Sequence, residues 1–423
     1  MTRRALTCIT SPVPNNQHMA TSERFLLIVI STASLFIARQ GRGAERLDFS
    51  ATEAAGLARR GFPTHVQLEL PKPIPASTKF RLLRDDQPIV AQFRADGEGP
   101  TRSWWLDFQA NSEPNESRNY RVEYGDDVAE SPELARGHEL TQSTDSFLVT
   151  HAPYITWTIP KDLKGLLTSV TFQEFEFLRS GADGLLLRDR QSNELPLRAT
   201  GGVTRSGRMA MGLRYQSTSN PPNASDLRST VDLTLPGPVS WIEVNWTIDD
   251  PSDQIEAAGL KLNLNLDPPD KSPMLTDFGA GSMVYLAVYP GQVAELVAGQ
   301  RTISGSTSVV PFWEVLRREP NRVIPVASRI GRSAESAIEG WAHMMDRKKC
   351  LALAVDAFGR DTTDRIQTAA DGRLELWREF PGSWKGKQKR LRFWLHFVFF
   401  PPQASAGTTP QQMQSPLKIK VLD

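Results

Sequence analysis

Cysteine is almost absent from this chain of 423 residues: Cys8 and Cys350 are the only two. A pair of thiols that far apart cannot supply a disulfide framework or a cysteine-rich zinc site, so the fold must be held by its core. Histidine is scarce as well. No two of the six lie at i, i+2 or i, i+4, which leaves a compact histidine metal site without local support. Net charge is nearly missing: 49 Lys and Arg stand against 48 Asp and Glu, a formal charge of +1. That balance argues against a nucleic-acid binder, which carries a clear basic excess. No H-E-x-x-H, G-x-S-x-G or phosphate-binding loop occurs. Asp277-Phe278-Gly279 spells the magnesium motif of protein kinases, but the glycine-rich loop, strand lysine and H-R-D loop are missing, so it reads as a chance match at a tight turn. Repeats of fixed period are lacking too.

Long apolar runs are reduced to one. Phe25 to Ala38 follows the charged start Met19 to Arg24 and precedes small residues at Gly41, Gly43 and Ala44. The run is short for a membrane span, which needs roughly 20 apolar residues. Residues 1–44 therefore read as a signal peptide with an upstream segment, cleaved near Gly43 or Ala44. The expectation is a secreted or periplasmic protein with no stable membrane span after cleavage, an uncleaved anchor being the alternative.

What is present is alternation with a period of two, the mark of half-buried strands. In HVQLEL, Val66, Leu68 and Leu70 share one face. Phe80–Leu83 and Ile89–Phe93 flank the polar turn RDDQP, and Trp104–Phe108 and Tyr120–Tyr124 flank NSEPNES, so each pair reads as a hairpin. These form a first β unit over 45–130, followed by a linker over 131–140 and a central unit over 141–423. In the central unit STVDLTL, SWIEVNWTI and GLKLNLNL alternate cleanly, as large stacked antiparallel sheets require. The one helical signal is GQVAELVAG, Gly291 to Gly299, long enough for two turns.

Ten tryptophans and 19 phenylalanines supply ample buriable surface. Indole faces pack in cores and also stack on sugar rings. In LRFWLHFVFF, Leu391, Phe393, Leu395, Phe397 and Phe399 line one face, while Arg392, Trp394, His396 and Val398 line the other, a basic and aromatic row that suits a polyanionic sugar. The acidic turn Asp249, Asp250 and Asp253 has the oxygens for calcium, although turns attract Asp through Asx hydrogen bonds as well.

Five blocks in order carry a family resemblance: TDFGAGSMVYLAVYPGQVAELVAG (Thr276–Gly299), GWAHMMDRKKCLALAVDAF (Gly340–Phe358), DGRLELW (Asp371–Trp377), KRLRFWLHFVFFPPQ (Lys389–Gln403) and SPLKIKV (Ser415–Val421). They resemble the central sandwich of exo-rhamnogalacturonan lyase-like proteins, and the segment from Leu47 is similar to the small β domain before it. The resemblance implies an all-β chain with a small N-terminal β-sandwich or barrel and a large galactose-mutarotase-like supersandwich. It also implies an acidic pectin-type polysaccharide as partner and cleavage by β-elimination; the expectation for cofactors is none, calcium at the acidic turn being the alternative. In the matching blocks Tyr285 or Tyr289 would serve as base, His343 or His396 as base or acid, and Arg360 or Arg392 as carboxylate clamp, with Trp341 and Trp394 against the sugar. Full-length members continue into a helical α/α toroid, for which no segment follows SPLKIKV here. Gly359-Arg360-Asp361-Thr362-Thr363 also stands where the family has an aromatic and paired polar residues. A non-catalytic carbohydrate-binding protein and a structural or interaction protein of the cell envelope are the alternatives.

Overall fold

Alternating burial decides the architecture, strand by strand. The computed structural model describes residues 44–151, 154–179, 184–217, 226–266, 272–305, 307–399 and 408–422; the expected leader, Ala44 apart, lies outside them. In the strand Arg59–Ile74, Val66, Leu68 and Leu70 are buried while Gln67 and Glu69 are exposed. This strand, Thr101–Ser112 and Ala91–Ala95 form a three-stranded sheet. A second sheet orders Lys418–Leu422, Glu45–Thr52, Ser117–Tyr124, Phe80–Arg84 and Gln87–Ile89. Leu68, Leu106 and Phe108 of the first share a core with Phe49, Tyr120 and Val122 of the second.

Of the two hairpins expected here, one does not form and the other forms in part. Trp104–Phe108 and Tyr120–Tyr124 lie in different sheets and do not pair. Each strand has one strongly apolar face, and crossing between sheets lets those faces meet, with Phe108 and Tyr120 ring centroids 5.0 Å apart. The other hairpin pairs Leu82–Arg84 with Gln87–Ile89 and turns on Asp85 and Asp86 at φ 53° and 57°. Beyond it Ala91–Ala95 crosses to the other sheet.

Lys418–Leu422, read from the sequence with the central unit, pairs instead along Glu45–Thr52. A buried ion pair fixes the approach: Arg59 reaches Glu53 at 3.2 Å and donates to the carbonyls of Gln412 and Ser415 at 2.8 and 2.6 Å. Burial alone would raise the Glu53 carboxyl, but backbone N–H groups from Asn115 and Ala55 and the Arg59 side chain outweigh it and hold the pKa at about 2.

The central unit is built on two large antiparallel sheets. One orders Ala199–Arg205, Ala210–Ser217, Arg228–Pro236, Trp241–Asp249, Lys389–Phe399, Lys349–Val355, Ile338–Met345, Met274–Ala280 and Met283–Val288. The other has eight strands, among them Gly184–Asp189, Ile255–Asn263, Arg373–Glu379, Thr363–Ala369 and Val293–Thr302. Val244, Trp246, Leu353, Phe393 and Leu395 of the first join Leu260, Leu296, Ile366 and Leu376 of the second in one core. A further five-stranded sheet includes Ser146–His151 and Ile155–Pro160. The fold is all-β, a small sandwich beside a large one, as expected.

The helix expected at Gly291–Gly299 is instead the strand Val293–Thr302. Ala294, Leu296 and Ala298 point into the core with a period of two, and hydrogen-bonded neighbours on both sides satisfy the backbone. Asp277-Phe278-Gly279 is no tight turn either; it lies inside the strand Met274–Ala280.

Candidate functional site

Residues directly opposite one another in an antiparallel ladder point to the same face. On the nine-stranded sheet, Tyr285 pairs with Asp277, Asp277 with His343, His343 with Ala352, Ala352 with His396, and His396 with Trp241. One row across six strands thus collects two imidazoles, a carboxylate, a phenol and an indole on the outer face. Alternation makes this possible, because the neighbours Phe278, Leu351, Leu353, Leu395 and Phe397 all turn into the core.

Asp277 Oδ1 lies 2.7 Å from His343 Nδ1, and both side chains are buried. A carboxylate only accepts hydrogen bonds, so Nδ1 carries a proton, and in the neutral ring Nε2 keeps the lone pair. His396 sits two strands away, about 10 Å across the sheet at the usual strand spacing. Only the methyl of Ala352 stands between the two rings in the row. Burial, and after it the neighbouring His343, pulls the His396 imidazole down to about 4, so it is neutral at neutral pH. Burial first, then the charge of Asp277, pushes the Tyr285 phenol up, which keeps it a proton donor.

The Trp241 end of the row opens on a cavity of about 380 Å³. Arg60 and Phe62 of the small sandwich wall one side, and Tyr154 and Phe172 the other. His396 meets the edge of Trp241 at 5.6 Å between centroids, and Tyr154 is half exposed. The cavity therefore joins a neutral imidazole and aromatic surface at the junction of three sheets, beside Arg60, whose guanidinium donates to Glu113.

Of the expected site residues, the row unites Tyr285, His343 and His396. Tyr289 lies past the end of its strand and is exposed, its N–H bonded to Gln292. Trp341 and Trp394 are each 2% exposed, which corrects their reading as open sugar platforms. They flank Ala354 and pack with Trp241, Met413 and Leu417 into the core of the small sandwich. Trp341 also lies so close over Gly279 that a Cβ there would fall 2.1 Å from its Nε1. Arg392 is engaged: it donates to Glu243 at 2.8 and 2.7 Å and stacks on Trp394. Burial works to raise the Glu243 carboxyl, but the charges of His65 and Arg392 prevail and lower it. Arg360 stands on a loop apart from the row.

The acidic turn is also spoken for. Lys389, fully buried, places Nζ 2.5 Å from Asp250 and 3.0 Å from Asp253, where a calcium ion would otherwise sit. Among the described residues no group of three or more His, Cys, Asp or Glu side chains is arranged to hold a metal. No helix of the described residues is long and apolar enough to cross a membrane.

Sequence reasoning missed Asp277, Arg60 and Tyr154 as site residues. The Asp277–His343 contact spans 66 positions and leaves no local pattern; the one available signal was the alternation around Asp277, which marks a strand.

No family model matches the chain, and no curated protein matches it by sequence. Its fold is similar to that of a glycosyl hydrolase family 38 protein from Enterococcus faecalis: TM-score 0.55 at 10% identity, over 89% of this chain and 47% of that one. The chain thus spans about half the length of that protein. A galactose mutarotase-like protein from Lactobacillus casei aligns over 62% of this chain and 100% of its own, with 11% identity and a TM-score of 0.32. A galactose mutarotase related enzyme from Lactobacillus acidophilus aligns over 63% and 98%, with 10% identity and a TM-score of 0.33. The likeness to the family 38 protein is one of fold.

Proposed function

We propose that this is an exported carbohydrate-active protein that acts on an acidic, pectin-type polysaccharide by β-elimination at the His343–His396 face. The observation that carries this reading is the Asp277–His343 pair, an oriented imidazole in one row with a neutral imidazole and a phenol. In such an elimination a base removes the proton next to the uronate carboxylate. The freed electron pair forms the C=C bond and expels the glycosidic oxygen, which takes up a proton. His343, held by Asp277, supplies the lone pair. Tyr285, kept as a phenol, supplies a proton to the leaving oxygen. Arg60, which also donates to Glu113, lines the cavity at the His396 end of the row, where it can hold a carboxylate of a neighbouring sugar unit.

A binding role without turnover is the second reading, favoured by the half-exposed Tyr154 beside the same cavity. Incubation with rhamnogalacturonan separates the two through the ultraviolet absorbance of an unsaturated uronate. Product formation that drops by about 100-fold or more in His343→Ala supports the lyase reading. Retention of the polysaccharide with no absorbance change sinks it in favour of binding alone.

A further inference from the structure

We propose that the rim of the central sandwich carries a second, separate site that binds a neutral saccharide with Trp384 as its stacking surface. The proposal goes beyond the reading above and does not depend on chemistry at His343.

Trp384 ends the short 3-10 turn Gly382–Trp384 and is half-buried. Its orientation is set at two points. The indole Nε1 donates to the carbonyl of Asp361 at 3.0 Å, and the ring leans on Phe380 with centroids 5.6 Å apart. What remains faces a cavity of about 630 Å³ shared with Gln300, Asp361, Thr363, Ser383 and Lys387. An indole held in this way offers an apolar plane to the C–H face of a sugar.

The polar lining selects the ligand class. Asp361 and Lys387 are exposed side chains of opposite sign, and neither is tied up in an ion pair among the described residues. The two charges cancel, so no net field draws a uronate into the cavity, whereas neutral hydroxyls can donate to the carboxylate and accept from the ammonium. The Gln300 amide, with the hydroxyls of Thr363 and Ser383, adds donors and acceptors suited to the same pattern.

The wall that holds these groups is built in advance. Asp364, fully buried, accepts from Gly359 N and from the Thr362 hydroxyl, both at 2.9 Å, and is gripped by Arg378 at 2.7 Å. Gly359, at φ 66°, packs so closely on Ala298 that a side chain would stand 2.5 Å from its Cβ. Gln300 is pinned from the other side, its Nε2 donating to the Arg360 carbonyl at 3.0 Å. A wall fixed by buried bonds loses little freedom when a ligand docks.

Affinity gel electrophoresis of the full chain through soluble galactan, xylan, dextran and polygalacturonate tests the idea. The wild type is expected to be retarded by at least one neutral glycan, with binding weakened about tenfold in both Trp384→Ala and Asp361→Ala. Asp361→Ala guards against a folding artefact, because the bond from Trp384 is accepted by its backbone carbonyl, and Lys79→Ala, at an exposed position beside the strand Phe80–Arg84 of the small sandwich, should behave as wild type. Unretarded wild type on all three neutral glycans, or Trp384→Ala and Asp361→Ala proteins that bind as wild type does, overturns the proposal. Polygalacturonate retention and turnover, compared between wild type and His343→Ala, report on the other face alone, so the two readings fail separately.

Discussion

The two faces of the nine-stranded sheet are written by alternate residues of the same strands, yet their chemistry is opposite. Along Lys389–Phe399 the inward Leu391, Phe393, Leu395 and Phe397 have no exposed surface, while the outward residues are Arg392, Trp394 and His396. The inner face meets a second sheet of like character and needs only volume and shape. The outer face meets the small sandwich over part of its area, through Trp241, Trp341 and Trp394, and keeps polar groups where a cavity opens. Stability is therefore concentrated on one side of a strand and chemistry on the other, a single residue apart.

The largest expected effect tests the inner face. Phe393→Ala should cost about 4 kcal/mol by urea denaturation, since a fully buried ring leaves a cavity that its neighbours cannot fill. His396→Ala, three residues along the same strand, should cost no more than about 1.5 kcal/mol. Equal costs would break the contrast.

Arg59→Ala comes next, at about 3 kcal/mol, because it strands the buried carboxylate of Glu53 and frees the carbonyls of Gln412 and Ser415. Protease sensitivity near the last strand should rise with it. An intact last strand in this variant would show that pairing along Glu45–Thr52 alone secures it.

The smallest effect is a pH dependence. With its folded pKa lowered from 6.5 to about 4, His396 binds a proton more readily in the unfolded chain. Its contribution is fully present above pH 6.5 and is lost as pH falls toward 4. His138, lowered to about 4 chiefly by burial, acts in the same window. His396→Gln should therefore flatten part of the slope of unfolding free energy against pH between those values. A slope identical to that of wild type would count against a buried neutral His396.

Strand identity was legible in the sequence because a period of two is local. Val66, Leu68 and Leu70, or Ile242, Val244, Trp246 and Ile248, announce a buried face without knowledge of what buries it. What covers the opposite face is a tertiary matter. Trp341 and Trp394 suit a sugar face as well as a core, and the docking of Met413 and Leu417 decides for the core. The same limit hid the Asp277–His343 pair, whose partners lie on neighbouring strands that are far apart along the chain. The failed hairpin has a polar turn, as hairpin turns should, but facing sheets offered Phe108 and Tyr120 more apolar contact than side-by-side pairing.

The pairing of Lys418–Leu422 along Glu45–Thr52 has a consequence in time. Ser50 and Lys420, neighbours in the ladder, are 370 positions apart. During synthesis, the edge of Glu45–Thr52 must stay open until the last of these residues emerges, long after the rest of its sheet can form. An open edge is a template for another chain. Fragments that stop before Lys418 should therefore self-associate, however well their cores pack.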